Sequence, residues 1–280
     1  MADPLALRVR TITFGTALPD LLRLDALEKV IAALKRARER FVGEGYEVQT
    51  LRIALAPLIA SMSPAARDDA LKTLRQIDAL LVEHGIILSL GPVAVGDHDD
   101  PALAEWASAL VRETRTISFS VVIASAEQGV HHRAACTSAR IMQSLARTLP
   151  GGLANFRFAA AAQIPAGTPF FPVAWHEGPD AFAVGLEAAG LVESAWASRP
   201  EPHVAESRIK EVFDEALRPI AAICTRIAAE ESLEWRGIDA SPAPGLDRSI
   251  GAGIERFLGY RLAAPRRSIP ARRSPRRSNR

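Results

Sequence analysis

Val48-Gln-Thr-Leu-Arg-Ile-Ala-Leu55, then Ser63-Pro-Ala-Ala-Arg-Asp-Asp-Ala-Leu-Lys-Thr-Leu-Arg-Gln-Ile-Asp-Ala-Leu-Leu-Val-Glu-His-Gly85, then Ile86-Ile-Leu-Ser-Leu90, form the stretch that decides the fold. The first and last runs are short, apolar and rich in β-branched residues, as strands are. Between them Ser63 stands ready to cap a helix, Pro64 suits its first position, and Gly85 suits its end. Strand, helix and strand in that order predict two parallel strands joined by a helical crossover.

The same unit recurs on both sides. Upstream, Leu7-Arg-Val-Arg-Thr-Ile-Thr-Phe14 alternates apolar and polar residues, and Leu27, Val30, Ile31, Leu34 and Phe41 then fall at helical spacing before Gly43 and Gly45. Downstream, Asp100-Pro101 opens a helix through Thr114, Thr116 to Ala124 is a strand, His132 to Thr148 a helix, and Asn155 to Ala162 a strand. Beyond Pro165 come a loop rich in proline and glycine, an apolar segment at Ala181 to Leu186, a long helix around Ala205 to Ser232 and a strand at Leu233 to Ile238. The fold class expected is α/β, with repeated strand-helix units and a mostly parallel sheet. Strand order is not readable from the pattern.

At 280 residues and 48% apolar content the chain can bury a large core. The expected organisation is a single α/β domain over residues 1–258 and an Arg-rich tail over 259–280. No run of eighteen uncharged apolar residues and no leader-like N-terminus is present, and Cys136 and Cys224 belong to no ligand cluster. A cytoplasmic protein with no membrane partner is the expectation. The net charge of +2 hides an asymmetry: residues 261–280 hold eight arginines and no acid, and without them 26 basic residues face 32 acidic ones. A body of net charge −6 is a poor nucleic-acid binder, so only the tail qualifies for that role.

Three constellations carry chemistry. The loop Gly167-Thr-Pro-Phe-Phe-Pro-Val-Ala-Trp-His-Glu-Gly-Pro-Asp180 gathers His176, Glu177 and Asp180 among aromatics and prolines. An imidazole beside carboxylates suits acid/base work or metal ligation, so His176 and Glu177 are candidate catalytic residues, with Phe171 and Asp180 as ligand contacts. The plainer alternative is that the His and Glu bond loop backbone while Phe170 and Phe171 fill the core. The second, Ser125-Ala-Glu-Gln-Gly-Val-His-His-Arg133, joins a strand end to a helix start, where Ser125, His131, His132 and Arg133 can meet an anion at free backbone amides. A solvated surface explains the same residues. Cys136 reads as a buried small hydrophobe rather than a nucleophile. The third, Arg236 to Glu255, offers Asp239 as a further catalytic group and Ser241 as a ligand contact after a strand. No phosphate-binding loop, dinucleotide fingerprint or nucleophile elbow is present, so no cofactor is specified.

The run Thr168-Pro-Phe-Phe-Pro-Val-Ala-Trp-His-Glu-Gly178, continuing to Phe182-Ala-Val-Gly-Leu-Glu187, resembles the DUF711 (UPF0210) family of uncharacterised proteins. Arg8-Val-Arg-Thr-Ile-Thr-Phe-Gly15, Phe119-Ser-Val-Val-Ile-Ala-Ser125, Ile238-Asp-Ala-Ser-Pro-Ala-Pro244 and Ser249-Ile-Gly-Ala-Gly-Ile-Glu255 extend the likeness over residues 7–257. The resemblance implies part of the ten-stranded α/β barrel of pyruvate formate-lyase and anaerobic ribonucleotide reductase, with no established reaction. It also implies a longer protein. One hypothesis is that the Arg-rich tail is out-of-frame translation of a lost C-terminal half, because a two-nucleotide shift with GC-rich codons yields an amphipathic helix there. Sequencing the gene tests it, and a frame with no in-frame continuation after a single-base correction defeats it. A truncated barrel should leave an open sheet with an exposed edge. Three functional expectations follow: an enzyme or enzyme remnant acting on a small polar or anionic metabolite, a non-catalytic small-ligand-binding or homo-oligomeric structural protein, and nucleic-acid association through the tail.

Overall fold

The computed structural model describes residues 7–17, 24–242 and 248–262. Its backbone is eight strands, β1 (Arg8–Thr16), β2 (Val48–Leu55), β3 (Ile86–Ala94), β4 (Ile117–Ser125), β5 (Gly129–Val130), β6 (Phe158–Ala162), β7 (Ala181–Glu187) and β8 (Glu234–Asp239). Between and after them run α1 (Leu24–Gly43), α2 (Pro64–His84), α3 (Leu103–Glu113), α4 (His132–Ala146), α5 (Ala189–Ala195), α6 (Pro202–Glu231) and α7 (Ile250–Leu258). The opening unit forms as the sequence predicts. The Ser63 hydroxyl accepts a hydrogen bond from the Ala66 amide, and Gly85 ends α2 in the left-handed conformation at φ 63°.

One sheet holds all eight of the described strands. β1, β2, β3 and β4 lie side by side in parallel, and β6 runs parallel to β4 along Phe119–Ala124. The two-residue β5 folds back on the end of β4. On the other side of β1 the direction reverses: β7 is antiparallel to β1, and β8 is parallel to β7. The sheet is mostly parallel and does not close on itself.

That reversal departs from a common direction for all strands. A parallel neighbour needs a crossover that returns the chain to the starting end of the sheet. After β6 the chain instead crosses the C-terminal ends of β3, β2 and β1 and enters β7 at the rim it has just reached, so β7 must run backwards. The loops after β7 and β8 therefore lie at the opposite rim from those after β1 to β4.

The two faces of the sheet differ. One packs Ile12, Phe14, Leu51, Ile53, Leu88 and Phe119 into the main core beneath the helices. The alternate positions on the other face hold Thr11, Thr13, Gly15, Arg52, Ala54, Ser89, Gly91, Ser118 and Ser120, mostly small or polar, with Val9, Val48 and Ile87 as apolar exceptions. Helices cover a single face, whereas sheets with apolar residues on both sides carry helices on both. The long α6 belongs to the helical layer, tied to α1 by Arg36–Glu231 at 2.6 Å and Arg40–Glu230 at 2.9 Å. Among the described residues no helix is long and apolar enough to cross a membrane. The Arg-rich segment 263–280 lies outside the described residues.

Candidate functional site

The second face of the sheet is crossed by a strap, residues 163–180. Gln163 leaves β6 with its amide donating to the Ala124 carbonyl at 3.1 Å. The Trp175 indole then donates to Ile164 O at 2.9 Å, and the Gly167 amide to Trp175 O at 2.8 Å, which closes the strap into a loop. Ser89 Oγ donates to Ala174 O at 2.6 Å and the His176 amide to Leu55 O at 3.1 Å, pinning the loop to β3 and β2. Two strand glycines make the approach possible. A Cβ at Gly91 (φ +70°) would lie 2.8 Å from Trp175 Cβ, and one at Gly15 would lie 2.2 Å from His176 Nδ1.

Beside the strap, at the C-terminal ends of β3, β4 and β6, is a cavity of about 830 Å³. Its polar lining comes from Ser120, Ser125, Glu127, Gln128, His131 and Gln163, with Trp175 and Val122 among the apolar walls. Ser120 is 1% exposed and its Oγ has no hydrogen-bond partner. His131 Nδ1 lies 3.3 Å from the Val122 carbonyl, an acceptor, so Nδ1 carries the proton and Nε2 presents a lone pair. That lone pair faces Ser125 Oγ at 3.3 Å, while the same oxygen accepts from the Gln128 amide at 3.2 Å. The pair can share the hydroxyl proton, as a nucleophile and its base do.

The start of α4 is occupied from within. Asp97, in the loop after β3, accepts from the Arg133 amide at 2.6 Å and the Ala134 amide at 3.2 Å. Desolvation pushes the Asp97 carboxyl up, but these two amides with the charge of Arg133 outweigh it and hold it below the usual carboxylate range. An internal carboxylate thus sits where the sequence suggested an external anion.

The residues singled out from the sequence fall in several places. Ser125 and His131 line the cavity, while His132 and Arg133 are exposed beside it. His176 is 1% exposed; its Nε2 donates to Gly178 O at 3.1 Å, and the void beside it is only about 10 Å³. Glu177 is exposed, and its carbonyl accepts from Arg236 at 3.5 Å. Asp180 is exposed where the strap enters β7. Phe171 lies against the Arg52 guanidinium, 5.5 Å from ring centroid to Cζ. Asp239 accepts from the Ser241 amide at 2.9 Å. Register separates it from His176: Asp239 pairs with Gly185 opposite Thr11, whereas His176 touches Gly15, roughly 13 Å further along β1 at the usual rise per residue. Among the described residues no three His, Cys, Asp or Glu side chains gather as a metal site. Sequence reasoning passed over Ser120, Gln163, Asp97 and Arg52. Only Arg52 carried a visible signal, a charge inside an otherwise apolar strand.

A family model described as "Uncharacterised ACR (DUF711)" matches residues 1–262. The chain belongs to the DUF711 family. Among its relatives, a UPF0210 protein of Pyrobaculum islandicum is 26% identical over 255 residues, covering 86% of this chain and 56% of its own. Another UPF0210 protein, from Pyrobaculum arsenaticum, is 26% identical over 260 residues, with 86% and 57% covered. The chain spans about half the length of these curated relatives, and neither name states an activity. For a DUF711 chain, then, the site has to be read from its own geometry.

Proposed function

We propose that this chain binds a small polar metabolite in the cavity between the strap and the ends of β3, β4 and β6. The observation that carries the reading is Ser120, a buried hydroxyl without a protein partner at the wall of an 830 Å³ cavity. A buried polar atom left unpaired is costly, and a ligand hydroxyl or amide removes that cost. The volume falls within the usual range for small-molecule sites. Glu127 is the one charged residue among the described lining, so the cavity favours an uncharged or cationic ligand over an anion.

A thermal-shift panel of polyols, amino acids and nucleosides tests the proposal. At least one class should stabilise the wild type, and Ser120→Leu, which fills the wall, should lose that response. A panel without effect, or an equal shift in Ser120→Leu, refutes it.

The Ser125–His131 pair favours a second reading, in which the same cavity is an acyl-transfer site with Ser125 as nucleophile and His131 as base. A fluorophosphonate probe should then label Ser125, and His131→Asn should abolish labelling; an unlabelled wild type removes the catalytic reading and leaves binding. We place the protein in a reducing, cytoplasmic compartment, where its free cysteines, Cys136 exposed and Cys224 buried, remain thiols.

A further inference from the structure

Arg52 is the charged side chain at the centre of the small-residue face. It projects from the middle of β2, flanked by Thr13 on β1 and Ile87 on β3, and is 5% exposed. One guanidinium nitrogen, NH1, donates to the Pro169 carbonyl of the strap. Among the described residues Nε is sealed from solvent without a partner, and no hydrogen bond engages NH2, which is not sealed. Phe171 covers one face of the group. No carboxylate of the described residues forms an ion pair with it. The charge that acts on it is that of a second cation, Arg10, exposed on the neighbouring strand where β1 slips register against β7. Burial, and then the charge of Arg10, draws the Arg52 pKa down to about 10, so it stays protonated at neutral pH.

A buried guanidinium is ordinarily matched by a carboxylate or phosphate, because the desolvation cost is offset only by a paired opposite charge. Here the edge formed by Nε and NH2, which grips an oxyanion through two parallel hydrogen bonds, is the unused one. From this arrangement we infer that Arg52 anchors a binding site for a small oxyanion, a carboxylate or phosphate group, on the open face of the sheet beneath the strap, with the charge of Arg10 adding to the attraction. This site is separate from the cavity at Ser120, whose lining holds no cation among the described residues. The anion meets NH2 first, and the strap tip at Pro169–Phe171 lifts to admit it to the sealed Nε.

The test is thermal denaturation of the full chain at constant ionic strength, with chloride replaced stepwise by inorganic phosphate or by malonate. The wild type should show a saturable rise in Tm with at least one of them, and the two arms distinguish phosphate from carboxylate. Arg52→Met should fold with an unchanged or higher Tm in chloride, since an uncompensated charge is removed, and its anion affinity should fall at least about tenfold. Arg10→Gln, an exposed change that leaves folding intact, should weaken the response and keeps the test informative if Arg52→Met fails to fold. No shift in the wild type, or the same shift in both variants, overturns the inference.

Discussion

Gly15→Ala is the sharpest test of how the strap is seated. The new Cβ would stand 2.2 Å from His176 Nδ1 and 2.6 Å from its Cγ, where ordinary contact begins at 3.4 Å. The ring would have to retreat by about 1.2 Å, the difference between 3.4 and 2.2 Å. It has little freedom to do so: the His176 amide is held by Leu55 O, and Nε2 by Gly178 O. Gly15 is not in the left-handed region, so backbone strain adds nothing and the cost is steric. Overpacking of this kind costs about 2–3 kcal/mol. In an otherwise regular strand, replacing glycine by alanine gains roughly 0.5–1 kcal/mol. The sign should therefore depend on residue 176. In a His176→Ala background the remaining Cβ lies 3.0 Å away, a contact relieved by a few tenths of an ångström, and the substitution should be nearly neutral. Urea denaturation of the four proteins of the cycle should return a coupling of about 2 kcal/mol. Additive effects would show that the imidazole does not rest on Gly15.

Other consequences are equally open to measurement. Asp78, 5% exposed, accepts from the Arg115 amide at 2.8 Å, the Thr116 amide at 2.7 Å and the Thr116 hydroxyl at 2.6 Å, so Asp78→Ala should cost about 3 kcal/mol in denaturant melts by stranding buried donors. Burial pushes the Cys224 thiol up to about 12 from 9.0; stability tied to it is complete below pH 9 and is lost as pH rises toward 12, which alkaline melts of wild type and Cys224→Ala should show. At pH 8 an alkylating reagent should modify the exposed Cys136 and spare Cys224 until the chain unfolds. Asp97 titrates below its ordinary value, so its contribution is present above about pH 4 and lost on further acidification; Asp97→Asn should flatten that acid limb, and an unchanged limb would argue against its role at the start of α4.

Much of the helical layer was legible because its signals are local. Ser63, Pro64 and Gly85 bound α2 as their capping chemistry requires, and the apolar spacing of Ile220, Ile223 and Ile227 marks the buried side of α6. The short helices were not read. α5 is apolar on nearly every side, and α7 holds Gly251 and Gly253, which are poor helix formers; packing of α7 on Val192 and Glu193 favours the helix where propensity does not. The site was legible only in part. Ser125 and His131 stood out because they lie where a strand end meets a helix start, although as contacts for an anion, whereas Ser120 looked like one more small residue in an apolar strand.

What the sequence by itself determined is the alternation of strand and helix and the ends of most elements, since these depend on side-chain periodicity and on caps a few residues away. The direction of β7, the face left without helices, and the meeting of Arg52 with Pro169 and of His176 with Gly15 were decided by tertiary structure. Each joins segments more than a hundred residues apart, and no local pattern encodes which rim of the sheet a chain reaches before it turns back.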